Sequence, residues 1–254
     1  MSWYQALLSE FLGTAFLILL GNAVVANVVL KNTKGNNSSW LVITMGWGFA
    51  VIFGAFLAAF SLGQLNPAIT TAFAITKAIS RGNNIGFLEG FNNAFIPLYI
   101  LGQVLGATLG QLLVYAIYWP HYKQTSDPNA ILSTHCTSPA IKSTWNNLAT
   151  EIIATFVLAI VVLGGVWLGT KGVLWSAGAI TAGIAVLAIG ISLGGSTGFA
   201  INPARDLIPR TLHFILPIPN KGTSQWDYSW IPVIGPLVGS SLAAIMAGII
   251  VNII

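Results

Sequence analysis

The triplet Asn-Pro-Ala occurs twice in this chain, as Asn66-Pro67-Ala68 and again 136 residues later as Asn202-Pro203-Ala204. Each copy follows a membrane-length apolar run and a break containing Gly and Ser, at 61–63 and 194–198, and leads into an apolar stretch too short to cross a bilayer. Asn is a favoured helix cap because its side-chain oxygen can take an amide of the first turn. Pro is tolerated at the first helical position, where no amide donor is needed. Each triplet therefore predicts a helix start, over 66–76 and 202–214. A helix of about ten residues is roughly 15 Å long, half the thickness of a hydrocarbon core. A single such triplet is a common turn. Two in the same setting predict two half-helices entering from opposite sides, with their amide ends facing at mid-membrane.

Six apolar runs are long enough to span, near 4–29, 40–60, 96–119, 148–168, 173–193 and 231–254. Only 6% of the 254 residues are charged and 55% are hydrophobic, with a mean hydropathy of +0.80. A soluble domain carries about 25% charge, so the chain reads as an all-α integral membrane protein. Helices satisfy their own backbone in lipid, which offers no partners. The net charge of +4 rests on few residues and carries no basic run, so neither nucleic acid nor strong binding to anionic lipid is expected. The first ten residues hold no Lys or Arg, and the first run is expected to remain as a span rather than leave as a signal peptide. The single cysteine, Cys136, excludes an internal disulfide and a cysteine-based metal site.

The two halves repeat. Glu10 opens the first span as Glu151 opens the fourth, 141 residues on, and Gly102-Gln103-Val104-Leu105-Gly106-Ala107 parallels Gly235-Pro236-Leu237-Val238-Gly239-Ser240 at an offset of 133. Each half reads span, span, half-helix, span. Three crossings per half is odd, so the copies face opposite ways. We read one domain, 1–254, made of inverted repeats 1–125 and 140–254 joined by a polar loop over 121–143. Further polar loops are expected at 31–39 and 217–229. An inverted repeat with a broken helix in each half points to a solute path near the midplane.

On these residues the sequence resembles the aquaporin superfamily over essentially its whole length. Asp206 immediately after Arg205 makes it more similar to the glycerol-facilitator branch. The resemblance implies six transmembrane helices, two half-helices and a homotetramer with one pore per protomer. It also implies a plasma-membrane location with both termini cytoplasmic. It implies an outer filter of Trp47, Gly190, Phe199 and Arg205. Two departures bear on detail. The stretch between Trp47 and Asn66 is one residue shorter than the family pattern, which makes Gly46 the competing filter position, and Gln64 stands where a His commonly precedes the triplet. The loop charges also run against the implied orientation. Lys77, Arg81 and Lys171 fall inside, whereas Lys31, Lys34, Lys123, Lys142, Arg210 and Lys221 fall outside, opposite to the positive-inside bias.

The chemistry expected of the path follows from these positions. Half-helix amino termini carry roughly half a positive charge each and repel cations at the midplane. Asn66 and Asn202 are expected to cap with their oxygens and leave the NH₂ free for a passing hydroxyl. Arg205 is costly in a bilayer unless it faces water. Adjacent helical residues point about 100° apart, so Arg205 is not expected to pair with Asp206. Acceptors are expected from the carbonyls of Leu62, Gly63 and Gln64 inside and of Gly198, Phe199 and Ala200 outside. Glu10 and Glu151 are expected to hold the amides of those loops, with Gln103 and Asp206 as further structural support. Gly190 is expected to leave a vacancy in the filter wall, bounded by the rings of Trp47 and Phe199. Rows of Gly at 102, 106 and 110 and at 235 and 239 read as faces for close helix contact. His121, His135 and His213 have no ligand spacing, and neither a metal nor a cofactor is expected.

The function expected is passive passage of glycerol, water and other small uncharged solutes, with protons and ions excluded. A strict water channel is the alternative within the fold. A coupled secondary transporter shares inverted repeats and broken helices but needs an ionisable pair or a sodium site at the midplane. No Ser/His/Asp grouping converges inside a span, and no enzyme activity is expected.

Overall fold

The computed structural model describes residues 1–80, 88, 90–169 and 176–253. Among the residues counted above, Arg81, Lys171, Val173 and Ile254 lie outside that set. The described residues form helices α1 (Trp3–Val29), α2 (Trp40–Leu57), α3 (Pro67–Ile79), α4 (Ile96–Gln124), α5 (Pro128–Ser133), α6 (Thr144–Gly169), α7 (Ser176–Ser192), α8 (Pro203–Ile215) and α9 (Ile231–Ile253), and no strand. Five of them are long and apolar enough to cross a membrane, and α7 is a shorter apolar helix whose expected beginning lies outside the described residues.

Glycine positions set the helix spacing. A Cβ on Gly102, Gly106 or Gly110 of α4 would stand 2.6, 2.4 or 2.5 Å from the carbonyl oxygens of Leu7, Phe11 and Ala15 of α1. In the second repeat, Gly235 and Gly239 of α9 would meet Glu151 Cβ at 2.6 Å and Ile152 O at 2.2 Å of α6. At the centre, α2 and α7 cross where a Cβ on Gly48 would lie 3.0 Å from Gly183 O and one on Gly183 2.5 Å from Gly48 O. Gly48 and Gly183 are themselves 135 residues apart, close to the 136 that separate the two Asn-Pro-Ala triplets. Each half-helix packs on the last span of the other half, α3 on α9 and α8 on α4.

Beside an apolar core, several polar side chains are buried while large apolar ones stay exposed. Asn22, Gln103 and Gln111 are buried, while Phe49, Phe53, Ile153 and Ile184 stand about half exposed on the outer face. Several boundaries differ from the sequence reading. The expected second span, 40–60, ends at Leu57 and tightens into a 3-10 turn over Ala59–Ser61. The loop expected at 121–143 is partly helical, because α4 runs through His121 to Gln124 and α5 fills Pro128–Ser133. Both half-helices hold 13 residues, α3 ending three residues beyond the expected Thr76 and α8 one beyond the expected Phe214. In α8 the chain continues past Pro209, which lacks only the amide that would have gone to the Arg205 carbonyl.

Candidate functional site

The two triplets meet in the middle of the bundle. Asn66 caps α3 by accepting from Ala68 N at 2.9 Å, and Asn202 caps α8 by accepting from Ala204 N at 3.0 Å and Arg205 N at 3.1 Å. Pro67 and Pro203 occupy the first turns. Each carboxamide also reaches across: Asn66 Nδ2 donates to Ile201 O and Asn202 Nδ2 to Leu65 O, both at 2.8 Å. This corrects the expectation of a wholly free NH₂. One N–H of each amide ties the half-helices together.

The loops entering the half-helices turn their backbone through the left-handed region at Leu62, Gly63 and Leu65 and at Gly198, Phe199 and Ile201. Four of these carry side chains, so glycine accounts for only part of the geometry. Such residues cost on the order of 1–3 kcal/mol each and persist only where their surroundings hold them. Two buried carboxylates do so. Glu10 accepts from Gln64 N at 3.1 Å and Leu65 N at 2.7 Å, and also from Gln103 Nε2 at 2.7 Å and the Ser61 hydroxyl. Glu151 accepts from Ala200 N at 3.0 Å and Ile201 N at 2.8 Å. The repeat is uneven here, since the counterpart of Gln103 is Pro236, which has no side-chain donor.

These loops line a cavity holding about 240 Å³ of water-accessible space. Leu62, Gly63, Gln64, Phe199 and Ala200 line it together with Asn66 and Asn202, whereas Gly198 does not and packs instead toward Thr137. Aliphatic Leu17, Val51, Leu158, Val162 and Val186 also line it.

At one end the Arg205 guanidinium lies 4.1 Å from the centroid of the Trp47 ring, and Arg205 Nη1 is buried without a hydrogen-bond partner. Trp47 lies flat over Gly21, where a Cβ would stand 2.3 Å from the indole. A Cβ on Gly46 would stand 2.6 Å from Val24, and Gly46 is absent from the cavity lining, so of these two adjacent residues it is Trp47 that faces the cavity. Phe199 completes this end. Gly190 does not leave a vacancy: a Cβ there would meet Thr44 Cγ2 at 2.8 Å and Phe199 Cζ at 3.1 Å. The space its missing side chain provides is already filled by those two groups.

Arg205 and Asp206 do not pair. Asp206 accepts from Arg210 Nε at 2.9 Å and Nη2 at 2.7 Å, and from Thr137 N and Oγ1 at 2.8 and 2.7 Å. Arg210 donates onward to Ser224 O, Gln225 O and Thr137 O. The sequence reading placed Arg210 among the loop charges. The four-residue spacing from Asp206 within one helix was the available signal. A second unforeseen contact joins His135 and His213, both buried, with ring centroids 5.2 Å apart. Among the described residues no group of three His, Cys, Asp or Glu side chains is placed to hold a metal.

Comparison with known proteins follows the same outline. Residues 1–247 match the family model described as Major intrinsic protein. A probable glycerol uptake facilitator protein of Thermotoga maritima is 48% identical over 238 residues, covering 93% of this chain and 95% of that protein. A glycerol uptake facilitator protein of Streptococcus pneumoniae is 48% identical over 241 residues, covering 94% and 97%. The X-ray structure of the aquaglyceroporin from Plasmodium falciparum superposes with a TM-score of 0.83 at 30% identity, covering all of both chains. The duplicated triplets, the crossed half-helices and these likenesses agree, and the chain belongs to the major intrinsic protein family.

Proposed function

We propose that the chain is a passive channel for glycerol, water and other small uncharged solutes, and not an enzyme. The observation that carries this reading is the mixed polar and apolar lining of the cavity. Its lining joins residues of the two half-helix loops, Asn66, Asn202 and Arg205 with aliphatic side chains such as Leu17, Val51, Leu158, Val162 and Val186. A polyol carries the same two kinds of surface, hydroxyls and carbons. Trp47, Phe199 and Arg205 act as the filter, with Gly190 admitting the Phe199 ring. The aromatic rings take the carbons, and the guanidinium and loop carbonyls take the hydroxyls. Arg205 is the charged residue among those lining the cavity, so the ionisable pair that a coupled transporter needs is not supplied there. Cations meet Arg205 and then two half-helix amino termini.

The protomers are read as a homotetramer in the plasma membrane with both termini cytoplasmic. The charge bias against that orientation weakens once two outer cations are accounted for. Arg210 is committed to Asp206, and Lys221 Nζ donates to the carbonyls of His213, Phe214 and Leu216 at the end of α8.

Light scattering of proteoliposomes under osmotic shock tests the reading. Glycerol is expected to enter quickly and without saturation or dependence on membrane potential, while a disaccharide stays out. Fast water with excluded glycerol would point to a strict water channel, and saturable, voltage-dependent flux to a transporter.

A further inference from the structure

The outer part of α2 presents Trp40, Thr44 and Trp47 at i, i+4 and i+7, one face of the helix. Trp47 carries Arg205 on its ring, and Thr44 fills the space beside Gly190. Trp40 is absent from the cavity lining and is 42% exposed, yet it contacts two of the filter positions. Its indole Nε1 donates to Gly190 O at 2.9 Å. The amides of Leu193 and Gly194 both bond to Ile189 O, at 2.7 and 3.0 Å, so the Gly190 carbonyl in the last turn of α7 takes a donor from another helix. The same indole meets the Phe199 ring edge-on, with centroids 5.7 Å apart at 89°. On the α7 side, a Cβ on Gly194 would lie 2.4 Å from Phe199 Cδ1 and one on Gly190 3.1 Å from Cζ, so the ring is confined between the α7 backbone and Trp40.

We propose that Trp40 is a positioning residue for solute selection, holding the Phe199 ring and the Gly190 carbonyl from outside the pore and so setting the slot between Phe199 and Trp47. The inference rests on the reading of Trp47, Phe199 and Arg205 as the filter. Removing the indole gives the Phe199 ring room toward the start of α2 and frees the Gly190 carbonyl. Both changes loosen the outer end of the cavity, and long polyols gain more from the added width than glycerol does.

The test measures glycerol, xylitol and water permeability in the same proteoliposomes, with the full chain. The xylitol-to-glycerol ratio does not depend on how many channels are folded, so it separates a change of filter from a loss of protein. In Trp40→Leu the ratio is expected to rise at least about threefold, the scale set by losing one aromatic pair. Trp40→Phe, which keeps a ring but no N–H, is expected to lie between parent and Trp40→Leu. Phe49→Leu, at an aromatic 52% exposed on the same helix, is expected to leave the ratio unchanged. If Trp40→Leu fails to reach the membrane, Trp40→Met carries the same expectation. An unchanged ratio in the Trp40 variants beside a raised ratio in Phe199→Leu would overturn the role of Trp40 while the filter stands. An unchanged ratio in Phe199→Leu would remove the filter reading and this inference with it. An equal rise in Phe49→Leu would make the effect a general loosening of α2 and overturn the proposal.

Discussion

Asp206 and Arg210 face each other across one turn of α8, Arg210 Nη2 lying 2.7 Å from Asp206 Oδ1 with both side chains closed off from solvent. The pair is tied at both ends. Asp206 takes the Thr137 amide and hydroxyl, and Arg210 gives hydrogen bonds to carbonyls of Thr137, Ser224 and Gln225. It therefore clamps three segments that are far apart in sequence, one residue away from Arg205.

Removing one member strands the other as a buried charge, a loss of about 3–5 kcal/mol. Arg210→Met is expected to lower the melting temperature in detergent sharply. The double variant Asp206→Asn/Arg210→Met is expected to lose less than the sum of the two single changes, because no charge is left uncompensated. Additive losses would show that the two residues act independently.

Gln103 supports the first half-helix loop in a way that the second repeat lacks. Its Nε2 donates to Glu10 Oε2 at 2.7 Å and to Thr70 Oγ1 at 3.0 Å. Gln103→Leu removes a hydrogen bond to a buried carboxylate, expected to cost about 1.5–3 kcal/mol. The loss is read in detergent melting, with Pro236→Leu, its counterpart without a donor, expected to cost less.

Much of this arrangement was legible in the sequence because its signals are local or repeated. The Asn-Pro caps follow from the chemistry of a helix start, and the paired Glu residues from their symmetric places. The glycine rows follow from spacing, since four residues return to the same helix face. What was not legible depends on neighbours supplied by distant elements. Thr44 of α2 fills the room beside Gly190 of α7, and no pattern within either helix announces it. The crossed bonds from Asn66 to Ile201 and from Asn202 to Leu65 exist only because the two loops come together. The choice between Gly46 and Trp47 needed the rotation of α2 about its axis. That rotation is set by the close approach of Gly48 to Gly183.

His135 gives the fold a dependence on acid. It lies in the connector after α5, fully buried, and burial together with the neighbouring His213 and Lys221 pushes its pKa down to about 3. In the unfolded chain it returns to about 6.5, so below that pH the unfolded state binds the proton that the folded state refuses. Stability from this residue is full above pH 6.5 and declines as pH falls toward 3. The decline is on the order of 1–2 kcal/mol by pH 5. In thermal melts across pH 8 to 4, His135→Gln is expected to flatten this slope, and an unchanged slope would assign it to other groups.

Arg205 is expected to carry the charge barrier at the outer end. Its guanidinium rests on Trp47, with Nη1 unpartnered. Arg205→Val removes the cation and leaves the half-helix dipoles in place. Proton conductance across proteoliposomes is expected to rise, while water flux changes little. An unchanged proton conductance would locate the barrier at the Asn-Pro-Ala junction instead.

Gly190 is expected to be the least tolerant position of the filter, because the volume of a side chain there is already occupied. A methyl on Gly190 would stand 2.8 Å from Thr44 Cγ2 and 3.1 Å from Phe199 Cζ. Phe199 is the neighbour that can yield, and the side on which it has space is the cavity it lines. Gly190→Ala should therefore narrow the slot, and Gly190→His should close it to polyols. A hydroxyl left without a partner in the tightened slot costs on the order of 1–3 kcal/mol, or about ten- to a hundredfold in rate. Glycerol flux in Gly190→His is accordingly expected to fall at least about tenfold with water flux largely kept. Thr44→Ser removes the methyl that stands at 2.8 Å, so Gly190→Ala/Thr44→Ser should recover part of the glycerol flux lost in Gly190→Ala. Recovery in that pair, measured as the glycerol-to-water ratio, would trace the loss to the contact itself. A double variant no better than Gly190→Ala would mean that Phe199, and not Thr44, sets the limit at this position.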